Sequence, residues 1–165
     1  MMPKPKLIEA NLTYDRRGFS ADQAFPFLCL QTRITQNYAK GALRGMHFQK
    51  DLAAQAKLIR VLKGEIYDVT VDMREESPNF LKWEWVQLND SQFQAYYIPP
   101  GFAHGFLTLK DETQIFYEMD KPFITDEIDG FRYDDAAIGI IWPMEPRVIA
   151  EQDLAWPALR AEVRQ

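Results

Sequence analysis

From Glu65 to Met73 the chain alternates apolar and polar side chains at a period of two: Ile66, Tyr67 and then Asp68-Val69-Thr70-Val71-Asp72-Met73. Successive side chains of a β-strand point to opposite faces, so this spacing fits a strand and opposes a helix. Lys63-Gly64 supplies a turn just before it. One face of such a strand packs inward, and the other meets water or a second sheet. Similar short runs recur at Leu28 to Ile34, Lys57 to Leu62, Trp83 to Leu88, Ala95 to Ile98, Phe106 to Leu109 and Gln114 to Met119. Asn89-Asp90, Pro99-Pro100-Gly101 and Lys110-Asp111-Glu112 separate them. Short strands with turns at close intervals predict an all-β sandwich or barrel. The Trp83 and Trp85 pair, two apart, fits sheet packing. Only the end of the chain, from about Leu154, suits a helix, with Pro157 in its first turn.

The 165 residues allow one domain with a real core, and hydrophobic residues make up 47% of them. The expected organisation is a single domain over 1–165, with an arm over about 1–26 and a helical tail over about 154–165. The part of the arm from Asp15 to Phe25 is polar and is expected to be irregular, a loop or an extension that reaches a neighbour. Net charge is -5, which opposes a general nucleic-acid binder, although a local basic pocket remains compatible with it. The one cysteine, Cys29, lies in the run Phe27-Leu28-Cys29-Leu30 and is expected to be a core thiol. No long apolar stretch follows Met1-Met2-Pro3-Lys4, so neither a signal peptide nor a membrane span is expected. A cytoplasmic protein is the default.

The chain holds two histidines. His47 lies in Gly41-Ala42-Leu43-Arg44-Gly45-Met46-His47-Phe48-Gln49, and His104 in Pro99-Pro100-Gly101-Phe102-Ala103-His104-Gly105-Phe106, and both segments are expected to be turn-rich. The second segment contains Pro-x-Gly-x-x-His, which resembles the second motif of cupin barrels. A metal cupin needs about three imidazoles and a carboxylate. Two histidines cannot supply that set, so no metal site is expected, and Asp134-Asp135 fits an ordinary polar turn. Taken alone, each histidine could be a satisfied structural residue. Tyr117 could be a strand residue with its hydroxyl at the rim, and Asp153 a helix N-cap. Lys57 could be solvated, and Arg44 could pair with a structural carboxylate.

The ordered set of these two segments with Lys57-Leu58-Ile59-Arg60-Val61, Gly64-Glu65-Ile66-Tyr67-Asp68-Val69, Phe116-Tyr117, Asp134-Asp135 and Gly139-Ile140-Ile141-Trp142-Pro143 resembles the dTDP-4-dehydrorhamnose 3,5-epimerase family. The likeness runs from about Arg17 to Asp153. It implies a cupin-like jelly-roll barrel, a metal-free and cofactor-free isomerase, and a homodimer with exchanged arms. It also implies a nucleotide-sugar substrate and a place in dTDP-rhamnose biosynthesis for cell-surface polysaccharide. Carried over by residue, the general base falls on His47, its carboxylate partner on Asp153 and the proton-donating tyrosine on Tyr117. Arg44, Lys57 and His104 match substrate-contacting positions. Arg17 and Asp22 match a binding segment that serves the neighbouring subunit's site, and Phe123 matches an aromatic residue stacked on the base.

The implied reaction suits these residue types. A ketone at C4 makes the protons at C3 and C5 acidic, and one histidine near neutral pKa can remove either. The enolate then needs cationic or hydrogen-bonding help, for which Lys57 and His104 are placed by the likeness. The departures from the family lie in the binding residues: Phe123 where tyrosine is common, Asp22 for glutamate, Gln152 for lysine, and a family glutamate that lands near Ile128, with Glu127 and Asp129 beside it. The alternatives are an epimerase acting at C3 only, a non-catalytic sugar-nucleotide binding module and a metal cupin enzyme.

Overall fold

A computed structural model describes residues 2–24 and 26–159. Its strands are β1 (Lys6–Ile8), β2 (Asn11–Asp15), β3 (Gly18–Asp22), β4 (Gln31–Asn37), β5 (Ala42–Gln49), β6 (Lys57–Lys63), β7 (Glu65–Asp72), β8 (Trp83–Asn89), β9 (Ala95–Ile98), β10 (Phe102–Thr108), β11 (Thr113–Met119), β12 (Ile128–Gly130) and β13 (Val148–Ile149). One sheet has the order β1-β9-β6-β11-β4, and a second the order β12-β5-β10-β7-β8, with β13 added in parallel to β5. The remaining pairs are antiparallel. The two sheets face each other as a cupin-like jelly roll. Ile59, Val61, Ile66, Leu88, Tyr96, Phe106 and Ile115 fill the space between them.

The alternation in β7 takes an unusual form. Asp68, Thr70 and Asp72 share the inward face with Ile66, and all are buried. Tyr67, Val69 and Val71 point outward instead, beneath Phe131, Ile138, Ile140 and Trp142. The polar face therefore meets the second sheet rather than water, and the apolar face is roofed by the segment after β12. Burying polar groups is tolerable only when they find partners. Here Asp68 Oδ2 lies 2.9 Å from His104 Nε2, and Thr70 Oγ1 lies 3.0 Å from the Tyr96 hydroxyl. Asp72 accepts from Arg74 Nη2 at 2.7 Å and from Ser77 Oγ at 2.6 Å.

Four expectations are corrected. The stretch from Asp15 is not irregular: β2 and β3 form a paired hairpin, with Tyr14 opposite Phe19. Gly41 to Gln49, whose glycines suggest turns, contains an eight-residue strand, β5. The Phe27-to-Leu30 run is not core, because Leu28 is 78% and Leu30 61% exposed and Cys29 is half-buried. A short helix is present near the C-terminus, but it spans Glu151–Leu154 and ends where a helix was expected to begin. Pro157 follows it rather than opening it, consistent with the bias of a residue before proline away from helical backbone. The expected tail from residue 160 lies outside the described residues. Among the described residues no helix is long and apolar enough to cross a membrane.

Candidate active site

His47 and His104 stand directly opposite each other on neighbouring strands β5 and β10. Between this pair and the Arg44–Phe106 pair the register shifts, with three steps along β5 against two along β10. Such a bulge turns a strand's side chains. Residues three apart on a regular strand point to opposite faces, yet Arg44 and His47 both line one cavity. Glycine permits the close approach. A Cβ on Gly45 would sit 2.6 Å from Gly105 Cα and 2.8 Å from the His104 carbonyl oxygen, and Gly45 has φ of +123°.

His47 Nε2 lies 2.6 Å from Asp153 Oδ1. The other oxygen of Asp153 accepts the Gly45 N–H at 3.0 Å. Both carboxylate oxygens are thus committed to β5, and the carboxyl group is fixed relative to the imidazole. Asp153 is not an N-cap. It is the third residue of the short helix, whose cap position is Ala150. An ionised carboxylate only accepts, so the neutral ring carries its proton on Nε2 and leaves Nδ1 as the basic nitrogen. Trp156 packs edge-on against the ring at 6.0 Å between centroids.

A second carboxylate–imidazole pair lies deeper, formed by Asp68 and His104. Burial pushes the Asp68 carboxyl up, while His104 and Lys57 pull it down. Lys57 opens β6 on the opposite sheet and is not a freely solvated lysine. Burial lowers its ammonium to about 8, with Asp68 opposing that shift and Arg33 adding to it. Tyr117 projects from the middle of β11 in the same sheet. Burial and the nearby Asp68 charge push its hydroxyl well above the usual phenol range. It therefore keeps its proton at neutral pH. Its ring meets that of His104 edge-on at 6.4 Å.

The cavity has a volume of about 350 Å³. It brings together His47, Tyr117, Asp153, Arg44, Lys57, His104 and Phe123. Among the described residues Arg44 pairs with no carboxylate, and its Nε donates to Asn37 Oδ1 at 2.9 Å. Arg17 and Asp22 do not line the cavity. Arg17 sits exposed at the hairpin turn and pairs with Asp15, while Asp22 ends β3. Arg33, Gln55 and Thr125 line the cavity without having been singled out from the sequence. Arg33 lies in the run Leu28 to Ile34, whose mixed apolar and polar positions did not single it out. Gln152 and Ile128, two of the departures, also line it. Among the described residues no group of three or more His, Cys, Asp or Glu side chains is placed to hold a metal ion.

Residues 6–161 match the family described as dTDP-4-dehydrorhamnose 3,5-epimerase. The chain is 38% identical over 165 residues to the dTDP-4-dehydrorhamnose 3,5-epimerase of Methanothermobacter thermautotrophicus, an alignment covering 93% of this chain and 89% of the relative. Its fold matches the dTDP-4-dehydrorhamnose 3,5-epimerase of Bacillus anthracis, solved with TDP and PPi bound, at a TM-score of 0.89 and 34% identity over 94% of each chain. It also matches the Legionella pneumophila dTDP-6-deoxy-D-glucose-3,5-epimerase in complex with dTDP-4-keto-L-rhamnose, at a TM-score of 0.85 and 31% identity over 93% of this chain and 87% of that one.

Proposed function

Because the chain belongs to the dTDP-4-dehydrorhamnose 3,5-epimerase family, we propose that it epimerises a nucleotide-linked 4-keto-6-deoxy hexose at C3 and C5, with His47 as base and Tyr117 as acid. The observation that carries this reading is the placement of the two groups. His47 enters the cavity from β5 of one sheet, and Tyr117 from β11 of the other. A sugar ring held between the sheets offers one face to each. Removal of a proton from one face and delivery to the other inverts the carbon.

His47 takes the proton from C3 or C5, and the C–H electrons move into the C4 carbonyl to give an enolate. The Lys57 ammonium and the His104 ring stabilise the oxygen charge by hydrogen bonding. The Tyr117 hydroxyl returns a proton to the carbon from the opposite face. The tyrosinate regains a proton from solvent, and the His47 imidazolium loses one to solvent. Asp153 holds His47 in the reactive tautomer and supports its charged form. No metal or cofactor enters any step.

The reading extends to a homodimer. Among the described residues strand β4 is the edge of its sheet, with Ile34 on it and Leu28 and Leu30 just before it exposed. An apolar sheet edge of this kind favours pairing with a second chain. The β2–β3 hairpin carries Arg17 away from its own cavity, so a partner is the site it can serve. Incubation with dTDP-4-keto-6-deoxyglucose, followed by NMR, tests the activity. Inversion at both carbons is expected. Inversion at C3 alone would assign a single epimerase, and binding without turnover would sink the enzyme reading in favour of a binding module.

A further inference from the structure

The proposed chemistry leaves two cations of the cavity, Arg33 and Arg44, without a role. Arg33 stands on β4 opposite Tyr117 and lines the cavity at its exposed end. Its guanidinium carbon lies 4.6 Å from the centre of the Phe123 ring. Phe123 is itself fixed to the same strand, for its N–H donates to Gln31 Oε1 at 2.6 Å. Stacking uses the flat face of a guanidinium. Its N–H donors lie in the plane, so a stacked arginine keeps them for other acceptors.

None of the ion pairs among the described residues involves Arg33. The carboxylates nearest the cavity are already engaged, Asp153 by His47 and Asp68 by His104. Arg33, Arg44 and Lys57 thus present three cations to one concavity of an acidic protein. The Arg33 charge contributes to the lowering of the Lys57 ammonium, so the two cations act on each other across this space. An anion at the exposed end relieves that repulsion, and a planar arginine fork matches phosphate oxygens two at a time.

We propose that Arg33 is a specificity-determining residue that recognises the diphosphate of the substrate, and that Phe123 acts chiefly as the platform that holds its guanidinium. This rests on the sugar-nucleotide reading above. It changes the expected role of Phe123, because Arg33 already occupies one face of the ring. Arg33 is exposed and holds no acid–base role in the proposed chemistry, so its loss should weaken binding more than it slows chemistry.

The test uses the full-length protein and compares Arg33→Met, Arg33→Lys, Phe123→Leu and the double variant Arg33→Met/Phe123→Leu. Arg33→Met should raise the KM for the nucleotide sugar and the inhibition constant of dTDP by roughly 10- to 100-fold, the range for a charge-assisted hydrogen-bonded contact. The kcat should stay within about two-fold, as for loss of uniform binding. Thymidine, which lacks phosphates, should bind wild type and Arg33→Met alike. Arg33→Lys should fall between them. Phe123→Leu should weaken dTDP binding, but add little in the Arg33→Met background, because it acts through Arg33. Unchanged dTDP inhibition of Arg33→Met, or a fall in its kcat alone, overturns the proposal. Full additivity of the two substitutions overturns the role given to Phe123. Absence of both turnover and dTDP binding in the wild type would instead remove the sugar-nucleotide reading on which the proposal rests.

Discussion

The two ends of the cavity are built on different principles. At the inner end each imidazole is tied to a carboxylate: His47 to Asp153 at 2.6 Å and His104 to Asp68 at 2.9 Å. The Tyr117 ring is buried beside them. At the outer end Arg33 and Arg44 have no carboxylate among the described residues, and their contacts are an aromatic face and a neutral amide. The inner groups are pre-positioned to move protons. The outer groups are left with charge to spend on a ligand. Substitutions at the inner end should therefore change kcat, and those at the outer end KM.

The largest effect is expected at the inner end, from Asp153→Asn. The asparagine oxygen can still accept the Gly45 N–H, but its NH2 would then face His47. That reverses the hydrogen bond, places the imidazole proton on Nδ1 and removes the base. The kcat should fall by about 10²–10⁴-fold, the range for loss of one general acid–base group, with little change in melting temperature. A kcat within a few-fold of wild type would remove Asp153 from the mechanism.

Tyr117→Phe separates the two faces. Proton removal by His47 should persist, while delivery to the opposite face should fail. Solvent exchange at C3 should then outlast net inversion by at least about 100-fold, the lower end of the general-acid range. Equal loss of exchange and inversion would contradict the assignment of separate roles.

The smallest effect is a pH limb. Lys57 helps as its cation, and burial lowers its ammonium to about 8. The cation is present below that value and is lost as pH rises through it. The kcat/KM should therefore decline on the alkaline side near pH 8. Lys57→Arg, whose guanidinium stays charged to above about pH 12, should move that decline upward. An alkaline limb unmoved in Lys57→Arg would assign it to another group.

Much of this was legible in the sequence. The short runs and their turn residues marked β4 and β6 to β11 but not β1, β2, β3, β5, β12 or β13, and the segments around His47 and His104 marked the two motifs that meet across β5 and β10. The misses have physical causes. A period-two pattern states that a strand has two faces, but not which face is inside, so the inward row Asp68, Thr70 and Asp72 was hidden. Gly41 and Gly45 look like turn residues, yet Gly45 serves close packing against Gly105 within a strand. The same bulge defeats simple face counting for Arg44 and His47. The hairpin of β2 and β3 is exposed on both faces, so its polar composition carried no strand signal. Arg33 gains its meaning from Phe123, ninety positions on along the chain, a contact that no local pattern contains.

The central claim is that His47 is the base, and deuterium exchange tests it most directly. In D₂O, wild-type protein mixed with dTDP-4-keto-6-deoxyglucose should place deuterium at C3 and C5. His47→Ala, folded as judged by its circular dichroism, should leave both positions protonated while still binding dTDP. Exchange at the wild-type rate in His47→Ala would contradict the account.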